Sequence, residues 1–229
     1  MRVDRLVLFD IDGTLIHTAR AGARGMTAAF RDLHGREDAL ARVDFAGRTD
    51  RAIVADAFEN MGVPFTEEAH EAIRDAYLER LAAELSKPVE GATVLPGAER
   101  AIASFETRGG VGIGLLTGNY ERGAEIKLEY FDLWKRFNFG AFGDRHTDRR
   151  ELVPLAIEAA ERQLGARVPA SRVVVIGDTP FDVDCAKAHG AISVAVATGP
   201  FSRDVLAEHE PDVLLDTLED LEPLLESVK

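Results

Sequence analysis

The stretch that decides the fold is LVLFDIDGT, residues 6–14. Four apolar residues are followed by two carboxylates, Asp10 and Asp12, and then by Gly13 and Thr14. An apolar run of this length is too short for a helix and predicts a buried strand, and the glycine predicts a turn after it. Two carboxylates this close repel each other unless a proton or a cation lies near them. The stretch therefore indicates either a polar turn or the start of a metal site.

Similar apolar runs return much later in the chain. They lie at residues 111–116, 172–176 and 192–196, with a weaker one at 212–215. Helical patterns lie between and after them, at residues 121–130, 150–164, 180–189 and 217–227. Strands that alternate with helices predict an α/β fold, in which helices cover both faces of a parallel, Rossmann-like sheet.

Residues 18–88 carry a different pattern. Amphipathic helical stretches lie at 27–33, 51–58 and 67–85, and the apolar runs typical of strands are missing. Residues 86–97 contain the proline and glycine typical of a linker. An all-helical block after the first strand of a parallel sheet indicates an inserted cap. We therefore expect a core formed by residues 1–16 and 89–229, and a helical cap formed by residues 17–88.

Composition limits the possible partners. The chain has 27 basic and 40 acidic residues and a formal net charge of −13, which argues against general nucleic-acid binding. It contains no apolar run of the ~20 residues that a membrane span requires, and no secretory signal is recognisable. We expect a soluble, cytoplasmic protein without nucleic-acid or membrane partners; the sequence does not indicate its oligomeric state. The one cysteine, Cys185, excludes an intramolecular disulfide and is expected to be a small buried residue.

Two further polar clusters follow predicted strands. Thr117 and Gly118 come directly after one apolar run, while Asp178 follows another and Asp182 stands one helical turn later. Parallel sheets bind ligands at the carboxyl ends of their strands. A hydroxyl and free amides suit a phosphate oxygen, and carboxylates suit a cation. Each residue also has a purely structural explanation: a Thr-Gly-Asn turn, a helix N-cap, or an acid that stabilises a helix N-terminus.

The order of these motifs along the chain is more specific than any one of them. Asp-x-Asp-x-Thr after the first strand, a threonine after a middle strand, and Gly-Asp-x-x-x-Asp after a later strand resemble the haloacid dehalogenase superfamily. The resemblance covers residues from about 5 to 200 and includes a helical cap at the position of that family's first cap type. The cap segment at 45–50 resembles a loop of the phosphoglycolate-phosphatase-like members.

The resemblance implies roles for the first motif. Asp10 would be the nucleophile that attacks phosphorus and forms an aspartyl-phosphate. Asp12 would be the general acid to the leaving oxygen and then the base for water. Relatives that act as dehalogenases lack this second aspartate, so its presence favours phosphoryl transfer.

The resemblance also implies a Mg²⁺ site and a phosphate site. Asp10, the backbone carbonyl of Asp12 and Asp178 would hold the ion, with Asp182 helping directly or through water. Thr117 and the amide of Gly118 would bind a phosphate oxygen.

The third motif departs from the family pattern. The family usually has a lysine before the helix that leads into the last motif, but residues 143–152 contain none. We assign its role to Arg149, with Arg150 as the second candidate; both are alternatively solvated arginines at the start of a helix. In the cap, Arg48 is the candidate substrate contact, and a surface arginine is the alternative. His17, Arg20 and Arg24 are weaker candidates for the lining of the crevice.

These residues predict a Mg²⁺-dependent phosphomonoester hydrolase that acts on a small phosphorylated metabolite. One alternative is a phosphomutase, which would share Asp10 and Asp12 but return the phosphoryl group to its substrate. A non-catalytic binding protein on the same fold is a further alternative, although such proteins normally have a broken first motif. The sequence does not name the substrate.

Overall fold

A computed structural model describes residues 3–226, and these form eight strands and nine α-helices. The strands are β1 (Arg5–Phe9), β2 (Ile16–His17), β3 (Thr93–Val94), β4 (Val111–Leu116), β5 (Gly140–Ala141), β6 (Val173–Gly177), β7 (Ile192–Val196) and β8 (Val213–Leu215). The helices are α1 (Ala21–His34), α2 (Asp50–Met61), α3 (Glu67–Leu85), α4 (Ala98–Glu106), α5 (Glu121–Glu129), α6 (Leu152–Leu164), α7 (Pro180–Lys187), α8 (Arg203–Glu208) and α9 (Leu221–Glu226).

Six parallel strands form the central sheet, in the order β5-β4-β1-β6-β7-β8. Strand β1 lies between β4 and β6, so Leu6 stands opposite both Gly112 and Val173. The predicted α/β fold with a parallel sheet is confirmed. The chain order places the ends of β1, β4 and β6 side by side, which is what brings their polar residues together.

Alternate residues of β1 face opposite sides of the sheet. Val7 and Phe9 are fully buried in one apolar cluster, where Phe9 contacts Phe105 of α4 edge to face. Leu6 and Leu8 are buried in a second cluster on the other side, against α6. Burial on both faces explains the unbroken apolar run that preceded Asp10 in the sequence.

Helices α1, α2 and α3 form a helical block around a buried cluster, which Tyr120 and Ile126 at the start and in the middle of α5 also join. Gly25 permits a close approach of α1 to α3, because a Cβ at this position would lie 3.3 Å from the backbone nitrogen of Leu81. Strands β2 and β3 flank the block and pair antiparallel, with His17 opposite Thr93. The cap boundaries at residues 17 and 88 stay a prediction.

Five elements are not predicted by the sequence patterns, namely β2, β3, β5, α4 and α8; β2 and β3 have two residues each. Strand β5 has two residues and no apolar run, while α4 and α8 are short helices of nine and six residues. The helix expected at 217–227 begins later, at Leu221, and the last residue of that prediction lies outside the described residues. Within residues 3–226, no helix combines the length and apolar character needed to cross a bilayer.

Candidate active site

Three buried carboxylates meet at the carboxyl end of the sheet. Asp10 follows β1, Asp178 follows β6, and Asp182 lies in the first turn of α7. One carboxylate oxygen of each lies within 4.8 Å of the others. The predicted strand ends therefore converge as parallel topology requires.

Two glycines, Gly13 and Gly199, leave room for this cluster because they carry no side chain. Gly13 has φ +81°, and a Cβ there would lie 2.3 Å from Oδ2 of Asp178. A Cβ at Gly199 would lie 1.7 Å from the same oxygen. The hydroxyl of Thr14 donates a hydrogen bond to Oδ1 of Asp178 at 3.1 Å. The Gly-Thr pair of the first motif thus shapes the wall around a carboxylate that lies 164 residues further along the chain.

Arg149 reaches into the same cluster from the turn before α6. Its Nη2 lies 3.0 Å from Oδ1 of Asp10 and 2.5 Å from Oδ1 of Asp182. Its Nη1 donates to the carbonyl of Gly47 in the cap at 3.3 Å. The side chain is only 5% exposed, so a full positive charge is held between two carboxylates and a cap carbonyl.

Asp182 combines the two explanations that the sequence left open. Its Oδ2 accepts hydrogen bonds from the hydroxyl and the backbone N–H of Thr179, at 2.6 and 3.1 Å, and so caps the start of α7. Its Oδ1 accepts from Arg149. The carboxylate therefore stabilises a helix N-terminus and belongs to the buried cluster at the same time.

The charge of the cluster is only partly compensated by Arg149. Burial raises the pKa of Asp10 to about 6, with Asp182 and Asp12 acting in the same direction against Arg149. Burial, followed by the charges of Asp10 and Asp182, raises the pKa of Asp178 well above its usual value. Oδ1 of Asp10 makes no hydrogen bond, although Arg149 is close. Buried carboxylate oxygens with an unpartnered atom form a donor set that fits a hard divalent cation such as Mg²⁺.

Asp12 lies beside the cluster but has other partners. Lys127 of α5 donates to its Oδ2 at 2.6 Å, and Nδ2 of Asn119 donates to the same oxygen at 2.9 Å. Burial opposes the charged form of Asp12, but Lys127 and the hydrogen bonds from Lys127 and Asn119 outweigh it and hold its pKa below the usual value. The sequence does not indicate Lys127 as a site residue, because it stands inside an ordinary amphipathic helix. The one hint was a charge between two apolar residues, Ile126 and Leu128.

Thr117 and Gly118 lie where β4 ends. The hydroxyl of Thr117 accepts a hydrogen bond from Nδ2 of Asn119 at 2.8 Å and lines the same cavity as Asp10. The carbonyl of Gly118 accepts the N–H of Asp50, the first residue of α2, at 2.7 Å. The segment after β4 is thus both a wall of the site and a contact for the cap.

A cavity of about 470 Å³ joins the sheet end to the helical block. Arg48 and Arg20 line it, although Arg48 also forms an ion pair with Asp56 at 2.9 Å. His17 lines its entrance and is exposed.

Two of the candidate arginines lie elsewhere. Arg150 is exposed and paired with Asp148 at 2.7 Å, and Arg24 is exposed and paired with Glu84. Neither of them lines the cavity that contains Asp10. Arg149 but not Arg150 therefore lies beside Asp10, and the assignment of the third-motif role to Arg149 stays a prediction.

A model of the haloacid dehalogenase-like hydrolases matches residues 5–190. The chain belongs to this family. The phosphoglycolate phosphatase of Rhodospirillum rubrum is 31% identical over 206 residues, which cover 89% of this chain and 83% of that protein. The N-acetylmuramic acid 6-phosphate phosphatase of Pseudomonas aeruginosa is 30% identical over 227 residues, covering 94% of this chain and 95% of that protein.

The fold also matches solved structures. CbbY from Rhodobacter sphaeroides, in complex with phosphate, superposes with a TM-score of 0.72 at 22% identity, and covers 96% of this chain and 97% of that one. The sequence prediction of a haloacid dehalogenase superfamily enzyme of the phosphatase type is therefore confirmed. The metal, the substrate and the roles of the individual site residues stay predictions.

Proposed function

We propose that this chain is a Mg²⁺-dependent phosphatase that hydrolyses a small phosphorylated metabolite through an aspartyl-phosphate (acyl phosphate) on Asp10. The observation that carries the proposal is the environment of Asp10, a buried carboxylate beside two further carboxylates. Its Oδ1 accepts no hydrogen bond from the described residues and forms an ion pair with Nη2 of Arg149 at 3.0 Å. A nucleophile must be close to its electrophile and free of competing hydrogen bonds, and this oxygen meets the second condition.

The proposed reaction has two steps. An oxygen of Asp10 bonds to phosphorus while the bond from phosphorus to the leaving oxygen breaks, and Asp12 gives that oxygen its proton. Water then attacks the phosphorus of the aspartyl-phosphate and transfers its proton to Asp12, which releases inorganic phosphate and restores both carboxyl groups. Asp12 is ionised before substrate arrives. The negative charge of the approaching phosphate raises the pKa of Asp12, which takes up a proton from solvent before it acts as the general acid.

Other residues of the chain stabilise the transferring group. Arg149 is already held against Asp10 and would bind a phosphoryl oxygen as charge builds on it. Thr117 and the amide of Gly118 would hold another oxygen. Asp10, the carbonyl of Asp12, Asp178 and Asp182 would hold Mg²⁺, which supplies positive charge to the phosphoryl group when bound.

The cavity supports a small metabolite as the substrate. Its volume of about 470 Å³ accommodates a phosphorylated acid or sugar phosphate and extends beneath the cap, where Arg48 would contact the leaving group. Phosphoglycolate and sugar phosphates are the first compounds to test, given the two phosphatase relatives. A cytoplasmic location, without nucleic-acid or membrane partners, remains part of this proposal on the grounds of composition.

Hydrolysis of p-nitrophenyl phosphate tests the central proposal. We expect Asp10→Asn to lower kcat by about 10³-fold or more, since the nucleophile is lost. Asp75→Asn, at an exposed position paired only with Arg74, is the matched control and should keep full activity. EDTA should abolish the activity and added Mg²⁺ should restore it. Near-normal turnover by Asp10→Asn, or activity indifferent to EDTA, would contradict the proposal.

A further inference from the structure

Lys127 is a second buried cation in the site, and the reaction proposed above gives it no role. The side chain of Lys127 is only 6% exposed, and its Nζ donates to Oδ2 of Asp12 and to Oδ1 of Asn119, both at 2.6 Å. Nδ2 of Asn119 donates to the same oxygen of Asp12 at 2.9 Å. The three side chains therefore form a closed triangle with two donors on one carboxylate oxygen.

The triangle fixes one oxygen of Asp12 and leaves the other available. The Asp12 side chain is 43% exposed and lines the cavity. Among the described residues, no hydrogen-bond donor contacts its Oδ1. A carboxylate clamped at one oxygen has a fixed plane, so the free oxygen points in one direction into the cavity.

The ammonium of Lys127 lies close to α1. A Cβ at Gly22 of α1 would lie 3.2 Å from Nζ of Lys127 and 3.5 Å from the hydroxyl of Tyr77 of α3. A side chain at Gly22 would therefore crowd the ammonium of Lys127, and the glycine leaves room for it close to α1.

The two buried cations, Arg149 and Lys127, contact different carboxylates. Arg149 contacts Asp10 and Asp182, whereas Lys127 contacts Asp12. Arg149 is therefore placed to act on the transferring phosphoryl group, and Lys127 is placed to act on the group that handles the proton of the leaving oxygen.

We propose that Lys127 is a positioning residue, which together with Asn119 orients Asp12 toward the leaving oxygen. The inference rests on the proposed phosphatase mechanism and extends it to a residue outside the superfamily motifs described above. Misplacing a proton donor by about 1 Å can cost about 10²-fold in rate. The cost should depend on how much the leaving group needs its proton.

Two aryl phosphates of similar size separate this role from a structural one. Phenol is a poorer leaving group than p-nitrophenol, so phenyl phosphate depends more on a proton donor. The ratio kcat/KM covers only the steps up to departure of the leaving group, and so isolates the general acid from the later attack by water. Outside the phosphate group, neither ester carries a charge that Lys127 would bind directly.

We expect Lys127→Met to lower kcat/KM for phenyl phosphate at least ~10-fold more than for p-nitrophenyl phosphate, within the ~10²–10⁴-fold range of general acid catalysis. Asn119→Leu should act in the same direction and carries the test if Lys127→Met does not fold. Lys135→Met, at an exposed lysine of the core, is the matched control and should leave both ratios unchanged.

Equal losses on the two esters, or no loss in either variant, would overturn the role of Lys127. Such a result would leave the proposed function standing, provided that the wild-type chain hydrolyses both esters and Asp10→Asn does not. Inactivity of the wild-type chain on both esters would instead count against the proposed function.

Discussion

Arg149 holds two carboxylates with one nitrogen, and a lysine would not reproduce this geometry. Nη2 contacts Asp10 and Asp182 while Nη1 contacts the carbonyl of Gly47. Lysine keeps the charge but offers a single ammonium in place of a planar fork. We expect Arg149→Lys to lower kcat by about 10-fold and Arg149→Met by about 10²-fold or more, measured on p-nitrophenyl phosphate.

Arg150 provides the matched control for this prediction. It is the next residue in the chain but is exposed and paired with Asp148. Arg150→Met should therefore retain kcat and KM. A larger loss in Arg150→Met than in Arg149→Met would exchange their proposed roles.

The residues of the site differ in how visible they are in the sequence. Asp10, Thr117 and Asp178 each follow an apolar run, and parallel topology alone brings such positions together. Lys127 gives no comparable hint because it lies on the buried side of a helix, and its partners Asp12 and Asn119 are 115 and 8 residues away. Pairing across such distances depends on packing between elements, which periodicity does not encode.

The segment after β4 lies close to the loop before α2. A Cβ at Gly118 would lie 2.0 Å from the carbonyl oxygen of Arg48 and 3.0 Å from the Cα of Thr49. These are backbone atoms and cannot move aside as a flexible side chain does. We expect Gly118→Ala to displace the cap loop, with a loss of about 1–3 kcal/mol in unfolding free energy and a marked loss of activity.

Gly123 on α5 serves as the control for this change. A Cβ there meets no atom closer than 3.5 Å, and alanine favours a helix over glycine by about 1 kcal/mol. Gly123→Ala should leave activity unchanged and stability equal or higher, as measured by denaturant unfolding. If the two variants behaved alike, the close approach at Gly118 would have no consequence.

Elements were predictable where they carry a long periodic pattern. Helix α3 has the predicted bounds of residues 67–85 because its start is capped by the hydroxyl of Thr66 and its apolar face is regular. Strand β5 was invisible, since two residues, Gly140 and Ala141, carry no pattern. It joins the sheet only because β4 offers it a free edge.

At the scale of the molecule, Asp50 joins the two parts of the fold. Its N–H donates to the carbonyl of Gly118 and its carboxylate accepts the N–H of Tyr120 at 2.9 Å. Burial raises the pKa of Asp50 to about 6, against the opposing effect of Lys127. An acid whose folded pKa is raised weakens the fold increasingly as the pH rises from its unfolded pKa to its folded pKa, because the unfolded chain ionises more easily.

This linkage predicts how stability changes with pH. The penalty from Asp50 is absent below pH 4 and grows as the pH rises to about 6. An asparagine side chain at this position would keep an acceptor for the N–H of Tyr120 without the charge. We expect Asp50→Asn to raise the free energy of unfolding on the order of 2 kcal/mol at pH 7 and to have little effect near pH 4.

Denaturant unfolding of both chains at the two pH values checks this prediction. Asp75→Asn, on the exposed side of α3, should show no such pH-dependent gain. A gain at pH 4 equal to that at pH 7 would separate the effect from ionisation and contradict the prediction.

The antiparallel pair of β2 and β3 has a consequence for how such a chain diversifies. Ile16 stands opposite Val94 and His17 opposite Thr93, so the two chain segments that flank residues 18–92 are paired with each other. Everything between them forms an insert whose ends are already adjacent. The length and sequence of such an insert can therefore change as one unit. The spacing of the strand ends that hold the carboxylates would stay the same.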